Sequence, residues 1–108
     1  VAHVGINTED NNAAQEVAKA FRSVFGFAVK DGNSSVFAST GIEVMKSQYL
    51  GKQGHLAIRT NRINIAIADL EKQGFHVDME TAKYKGDRMI AVYLKDEIGG
   101  FAIHLLQK

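Results

Sequence analysis

The chain has 108 residues, 45% of them hydrophobic and 23% charged, and a formal net charge of +1. That composition fits a globular domain with one core, and the near-zero charge, with no basic run interleaved with aromatics, removes the electrostatic case for nucleic acid or a membrane surface. The absence of cysteine excludes disulfides and thiolate chemistry and suits a reducing cytoplasm.

Residues 2–7 read as a strand, with Val4 and Ile6 on one face and His3, Gly5 and Asn7 on the other. Thr8 is the expected N-cap of a helix, with Glu9 and Asp10 in its first turn. The helix runs to about Phe25, its apolar face made of Ala13, Ala14, Val17, Ala18, Phe21, Val24 and Phe25, and Gly26 stops it. Short strands follow at 27–30, 35–39 and 42–46, separated by Asp31-Gly32-Asn33 and Thr40-Gly41. Residues 47–54, with two glycines, read as a link. The second half repeats the order: a strand at 55–60, a helix at 62–73 stopped by Gly74, and strands at 75–79, 89–94 and 101–107. Ile63, Ala66, Ile67 and Leu70 form the second helix's apolar face, and Phe21 and Leu70 are expected in the core. No apolar run reaches the roughly 18 residues of a membrane span, and no signal peptide is visible.

Each half is therefore β-α-β-β-β. The expected fold is α+β: two βαβββ modules, 1–46 and 55–108, in one domain of residues 1–108. Units of about fifty residues are too small to stand alone, so the sheets are expected to pack together or pair across a dimer. Exposed sheet edges point to a homodimer. The start at Val1, inside a strand and without methionine, fits a domain excised from a longer protein.

The repeat is visible in side chains. Gly54-His55-Leu56-Ala57-Ile58-Arg59-Thr60 echoes Ala2-His3-Val4-Gly5-Ile6-Asn7-Thr8, with histidine, isoleucine and threonine in register. The last strands also match, placing Glu43 over His104. Each module thus carries one coordinating side chain in its first strand and one in its last. Three imidazoles and a carboxylate, His3, Glu43, His55 and His104, suit zinc, nickel, cobalt or ferrous iron. Gly5 and Ala57 are expected to leave room for an ion and a substrate. A lone strand histidine is more often structural or solvent-facing, and His76, without a counterpart, is read that way. Arg59 is a candidate anchor for a carboxylate or phosphate, although an exposed strand arginine is equally ordinary. Asn7, on the His3 face, is a second candidate substrate contact. Tyr93 and Met45 are expected to pack.

The paired modules, with His in strand one and Glu or His in strand four, resemble the vicinal oxygen chelate superfamily, which includes glyoxalase I, fosfomycin-resistance proteins and extradiol dioxygenases. The likeness spans the chain. Gly54-His55-Leu56-Ala57-Ile58 is similar to the glyoxalase I pattern G-H-[IL]-A-[IL], and the ending from Tyr93 to Leu105 is similar to F-x-D-P-D-G-[NY]-x-[IL]-E-L. The resemblance implies a glyoxalase-like half-barrel sheet with helices on its outer face and a metal on His3, Glu43, His55 and His104. It also implies lyase or isomerase chemistry through an enediolate on a small 2-oxo or 2-hydroxy acid, with Glu43 as general base. His104 departs from the family's final glutamate, and Asp96-Glu97-Ile98-Gly99-Gly100 from its D-P-D-G turn.

Gly32-Asn33-Ser34-Ser35, Gly41-Ile42-Glu43-Val44-Met45-Lys46-Ser47, Glu80-Thr81-Ala82-Lys83-Tyr84 and Glu97-Ile98-Gly99-Gly100-Phe101 resemble a narrower group. This is the glyoxalase-type module that follows the barrel of some bacterial 4-hydroxy-2-oxoglutarate or 2-dehydro-3-deoxyphosphogluconate aldolases. That likeness implies the alternative function, a metabolite-binding or accessory domain fused to an aldolase barrel and doing no chemistry itself.

Overall fold

The computed structural model describes residues 1–108. Its elements in chain order are β1 (His3–Ile6), α1 (Asn11–Phe25), β2 (Val29–Asp31), β3 (Ser35–Ala38), β4 (Ile42–Met45), β5 (Gly54–Thr60), α2 (Ile63–Lys72), β6 (Val77–Lys85), β7 (Arg88–Ile98) and β8 (Phe101–Gln107). They form one eight-stranded sheet in the order β2-β3-β4-β1-β5-β8-β7-β6. This is the α+β pair of βαβββ modules expected from the sequence. The modules join where β1 and β5 run antiparallel, with Val4 opposite Leu56 and Gly5 opposite His55. Within each module the first strand runs parallel to the last, Gly5 opposite Glu43 and Ala57 opposite His104.

Alternation along the strands sorts side chains between two faces. Val36 and Val44 pack under Ala14 and Ala18 of α1, while Val92, Leu94, Ile103 and Leu105 cluster with Ile63 of α2. Full burial of valines such as Val36, Val44 and Val92 contributes about 1.5–3 kcal/mol each relative to exposure. The residues between them, Phe37, Glu43, Tyr93 and His104, lie on the opposite face. No helix is long and apolar enough to cross a membrane.

Several boundaries differ from the sequence reading. Asp10, not Thr8, caps α1: its side chain accepts from the Ala13 amide at 2.8 Å. Thr8 instead donates to the Met45 carbonyl at 2.6 Å, tying β1 to the end of β4. The apolar face of α1 is narrower than expected. Ala14 and Ala18 are fully buried, Phe21 is half-buried, and Val24 and Phe25 are exposed. Phe21 packs with Phe25 and Phe27 rather than in the core, and Leu70 is likewise half-buried, at the margin of the α2 cluster. β6 and β7 are longer than their apolar patterns, because a hairpin's backbone ladder does not require every side chain to be buried. β7 runs through Lys95-Asp96-Glu97 and turns back at Gly99-Gly100, whose φ angles of 63° and 85° suit a two-residue hairpin with both residues left-handed.

Candidate metal centre

The inner face carries two rows of cross-strand neighbours. One is Phe37, Glu43, Gly5, His55 and Ala102; the other is His3, Ala57, His104 and Tyr93. In the first row, Glu43 and His55 flank Gly5 from strands on either side of it. A β-carbon at Gly5 would lie 2.0 Å from Cε1 of His55, so the imidazole occupies the space that a side chain would take. Gly5, expected to leave room for an ion, leaves it for a ring. His55 reaches over to Glu43, Nε2 to Oε1, at 3.2 Å. His3 joins from the adjacent row, its Nε2 3.1 Å from His55 Nε2 and 3.4 Å from Glu43 Oε1. All three residues belong to one chain.

His104, the fourth expected ligand, stands beside this cluster. Its ring stacks on Tyr93, centroids 4.0 Å apart and planes 4° from parallel, and its centroid is 6.2 Å from that of His55. Arg59 is exposed at the far end of β5, and its positive charge disfavours protonation of His3. The Asn7 amide is committed to the link, donating to the carbonyls of Tyr49 at 3.2 Å and Gly51 at 2.9 Å. It holds the loop that brings Tyr49 to within 6.5 Å of His55, ring to ring. His76 pairs with Glu71 on the surface.

Ser35 and Tyr49 were not legible as site residues. Ser35 is buried and donates to Glu43 Oε2 at 2.8 Å, leaving Oε1 to the imidazoles. The signal was the β3–β4 register, which sets Phe37 opposite Glu43 and so turns Ser35 to the same face. Tyr49 sits in a loop without periodicity and gave no signal.

Electrostatics favours an anionic Glu43 and neutral rings at His3 and His104. The hydrogen bond from His55, then that from Ser35, holds Glu43 below the usual carboxylate range despite burial. Burial lowers His3 and pushes His104 down to about 4; burial raises Tyr93, so its phenol keeps its proton. In metal-free protein the unfolded chain takes up a proton at His104 between its ordinary 6.5 and about 4 that the folded chain refuses. Stability should therefore rise with pH across that window and be lost as pH falls through it. His104→Gln should flatten this limb of a urea-midpoint profile measured with chelator present.

No protein-family model matches the chain, and no curated protein does. Among solved structures, a methylmalonyl-CoA epimerase is similar with a TM-score of 0.63 at 18% identity, covering 99% of this chain and 93% of that one. The methylmalonyl-CoA epimerase of Mycobacterium tuberculosis has a TM-score of 0.61 at 19% identity, covering 97% and 85%. A hypothetical protein of Bacillus halodurans C-125 has 0.65 at 13%, covering 100% and 93%. At these identities the likeness is one of fold.

Proposed function

We propose that the protein holds a divalent transition metal, zinc, nickel, cobalt or iron, on His3, Glu43 and His55. With it the protein acts on a small 2-oxo or 2-hydroxy acid, as a lyase or isomerase of glyoxalase type. The observation that carries this reading is the triangle of two Nε2 atoms and one Oε1 atom, with edges of 3.1, 3.2 and 3.4 Å. Metal–ligand bonds of about 2.0–2.2 Å set the atoms of one coordination face about 2.8–3.6 Å apart. The donor set also fits: two imidazoles and one ionised carboxylate suit these ions better than calcium or magnesium. His55 Nδ1 is buried without a partner, so its ring lacks the outer-shell acceptor that usually strengthens a ligating histidine.

A metal held by His3, Glu43 and His55 would supply Lewis-acid charge to offset negative charge developing on substrate oxygen. The side chains supply the rest. Glu43, ionised at neutral pH, is the proton acceptor at the carbon beside the carbonyl. Ser35 fixes the carboxylate so that one oxygen faces the reacting group. The Tyr93–His104 stack walls one side, and Arg59 is the anchor for a carboxylate or phosphate. Asn7 acts through the loop that carries Tyr49. The fold is compatible with proton transfer, since an epimerase must break and remake a bond at one centre, but fold alone does not assign a reaction.

Ser35→Ala should weaken metal binding about 10–100-fold, the effect of losing an outer-shell partner, while Ser35→Thr should restore most of it in a competition titration. Glu43 is the only carboxylate in the cluster, and a ligating carboxylate is a poorer base. This favours a second reading, a metabolite-binding module without turnover, accessory to an aldolase. The test is metal analysis of protein purified without chelator or nickel resin, followed by deuterium exchange into 2-oxo and 2-hydroxy acids by NMR. Stoichiometric metal with exchange supports the enzyme, metal without exchange the binding module, and no metal overturns the metal reading. The expected homodimer is checked by light scattering at high micromolar concentration, where a monomeric mass would remove it.

A further inference from the structure

Beside the triad lies a cavity of about 330 Å³, lined among others by Tyr49, Glu80, Thr81, Lys83, Tyr93 and His104. Three of its walls are rings that also surround His55: Tyr49, Tyr93 and His104 have centroids 6.5, 6.3 and 6.2 Å from it. The cavity therefore adjoins the triad. At about 30 Å³ per water, its volume corresponds to a molecule of on the order of ten heavy atoms, the lower end of small-molecule sites.

The lining is poised for negative charge. Lys83 has no carboxylate within salt-bridge reach, and its charge is felt at His104. Glu80 and Lys83 are both exposed on the same wall and are not paired with each other. Tyr49 and Tyr93 enter hydrogen bonds only through their backbones, so both phenols are free to donate. The Thr81 hydroxyl is already used, donating to the Asp78 carbonyl at 2.6 Å and accepting from the Tyr93 amide at 2.9 Å. What remains open is one ammonium and one carboxylate, both exposed, with two phenols and one imidazole; the ammonium and the phenols are the donors that an anion would meet.

We propose that this cavity receives a second anionic group of the substrate, with Lys83 as its counter-ion, which makes the substrate class a small 2-oxo or 2-hydroxy acid bearing a further carboxylate or phosphate. The inference rests on the reading of the triad as the place where the vicinal oxygens bind. It assigns Lys83 a specificity role toward the end of the substrate that does not react.

The test compares 2-hydroxy acids that differ in a second carboxylate. Lactate, malate and 2-hydroxyglutarate are titrated into the cobalt-loaded full chain and followed in the visible spectrum. At least one diacid should bind roughly tenfold or more tighter than lactate, the worth of one charged hydrogen bond. Lys83→Gln should erase that advantage and leave lactate unchanged, and Lys83→Arg should keep it. Equal binding of lactate and both diacids to wild type, or an advantage that survives in Lys83→Gln, overturns the proposal. If cobalt does not bind, the metal reading falls, and the cavity is judged alone by titrating succinate calorimetrically into the metal-free protein. Succinate binding that weakens in Lys83→Gln supports the anion subsite; binding indifferent to Lys83, or none, overturns it.

Discussion

Gly5→Ala should abolish metal binding and destabilise the metal-free protein. The added β-carbon would lie 2.0 Å from Cε1, 2.1 Å from Nδ1 and 2.7 Å from Nε2 of His55, well inside van der Waals contact. The ring has nowhere to retreat. His55 is 3% exposed and bounded by the rings of His3, Tyr49, Tyr93 and His104. Overpacking of this kind costs about 1–3 kcal/mol, and in a domain of this size each kcal/mol lowers Tm by about 4–8 °C. Displacing the ring also breaks the triangle, since His55 supplies two of its three edges. Gly41→Ala is the control: nothing lies within 4 Å of a β-carbon there, so Tm and metal response should stay at the wild-type values. A Gly5→Ala protein with the wild-type thermal shift on adding zinc would mean that the ring does not lie over Gly5.

His55→Ala should lose both the metal and the stability linked to it. A ligand that binds only the folded state at 100 times its Kd stabilises by ~2.7 kcal/mol, which wild type should show as a rise in Tm with zinc, nickel or cobalt. His55→Ala should show none. His76→Ala, which removes only the surface partner of Glu71, should keep the full shift. His104→Ala separates a three-residue site from a four-residue one. Because His104 stacks on Tyr93 outside the cluster, its removal should leave metal binding in place. Equal shifts in wild type and His55→Ala would remove the triad as a metal site, and the binding module would then be the better reading.

The sequence by itself determined the architecture. Alternation in Val4-Gly5-Ile6 and Leu56-Ala57-Ile58, the 3.6-residue spacing of the helices, and the echo of His3 at His55 were enough to set two βαβββ modules side by side. The first two are local patterns, dictated by the geometry of one strand or one helix, and the third is a repeat between the two halves of the chain. The pairing of Glu43 with His104 as repeat equivalents also holds, since they face Gly5 and Ala57 at corresponding positions. What the repeat did not reveal is that equivalent residues make different contacts, Glu43 with His55 and Ser35, His104 with Tyr93.

That was decided by the tertiary structure, and the reason is the room above one backbone position in each module. Above Gly5 there is no side chain, so Glu43 and His55 lean in from both sides and meet. Above Ala57, fully buried, a methyl group stands between His3 and His104, and His104 settles on Tyr93 instead. Ser35 and Tyr49 come to the triad through a hairpin register and a clamped loop, and Lys83 comes to the wall of the neighbouring cavity on an extended strand. Each depends on how one segment pairs with another, which the periodicity of a single segment does not carry.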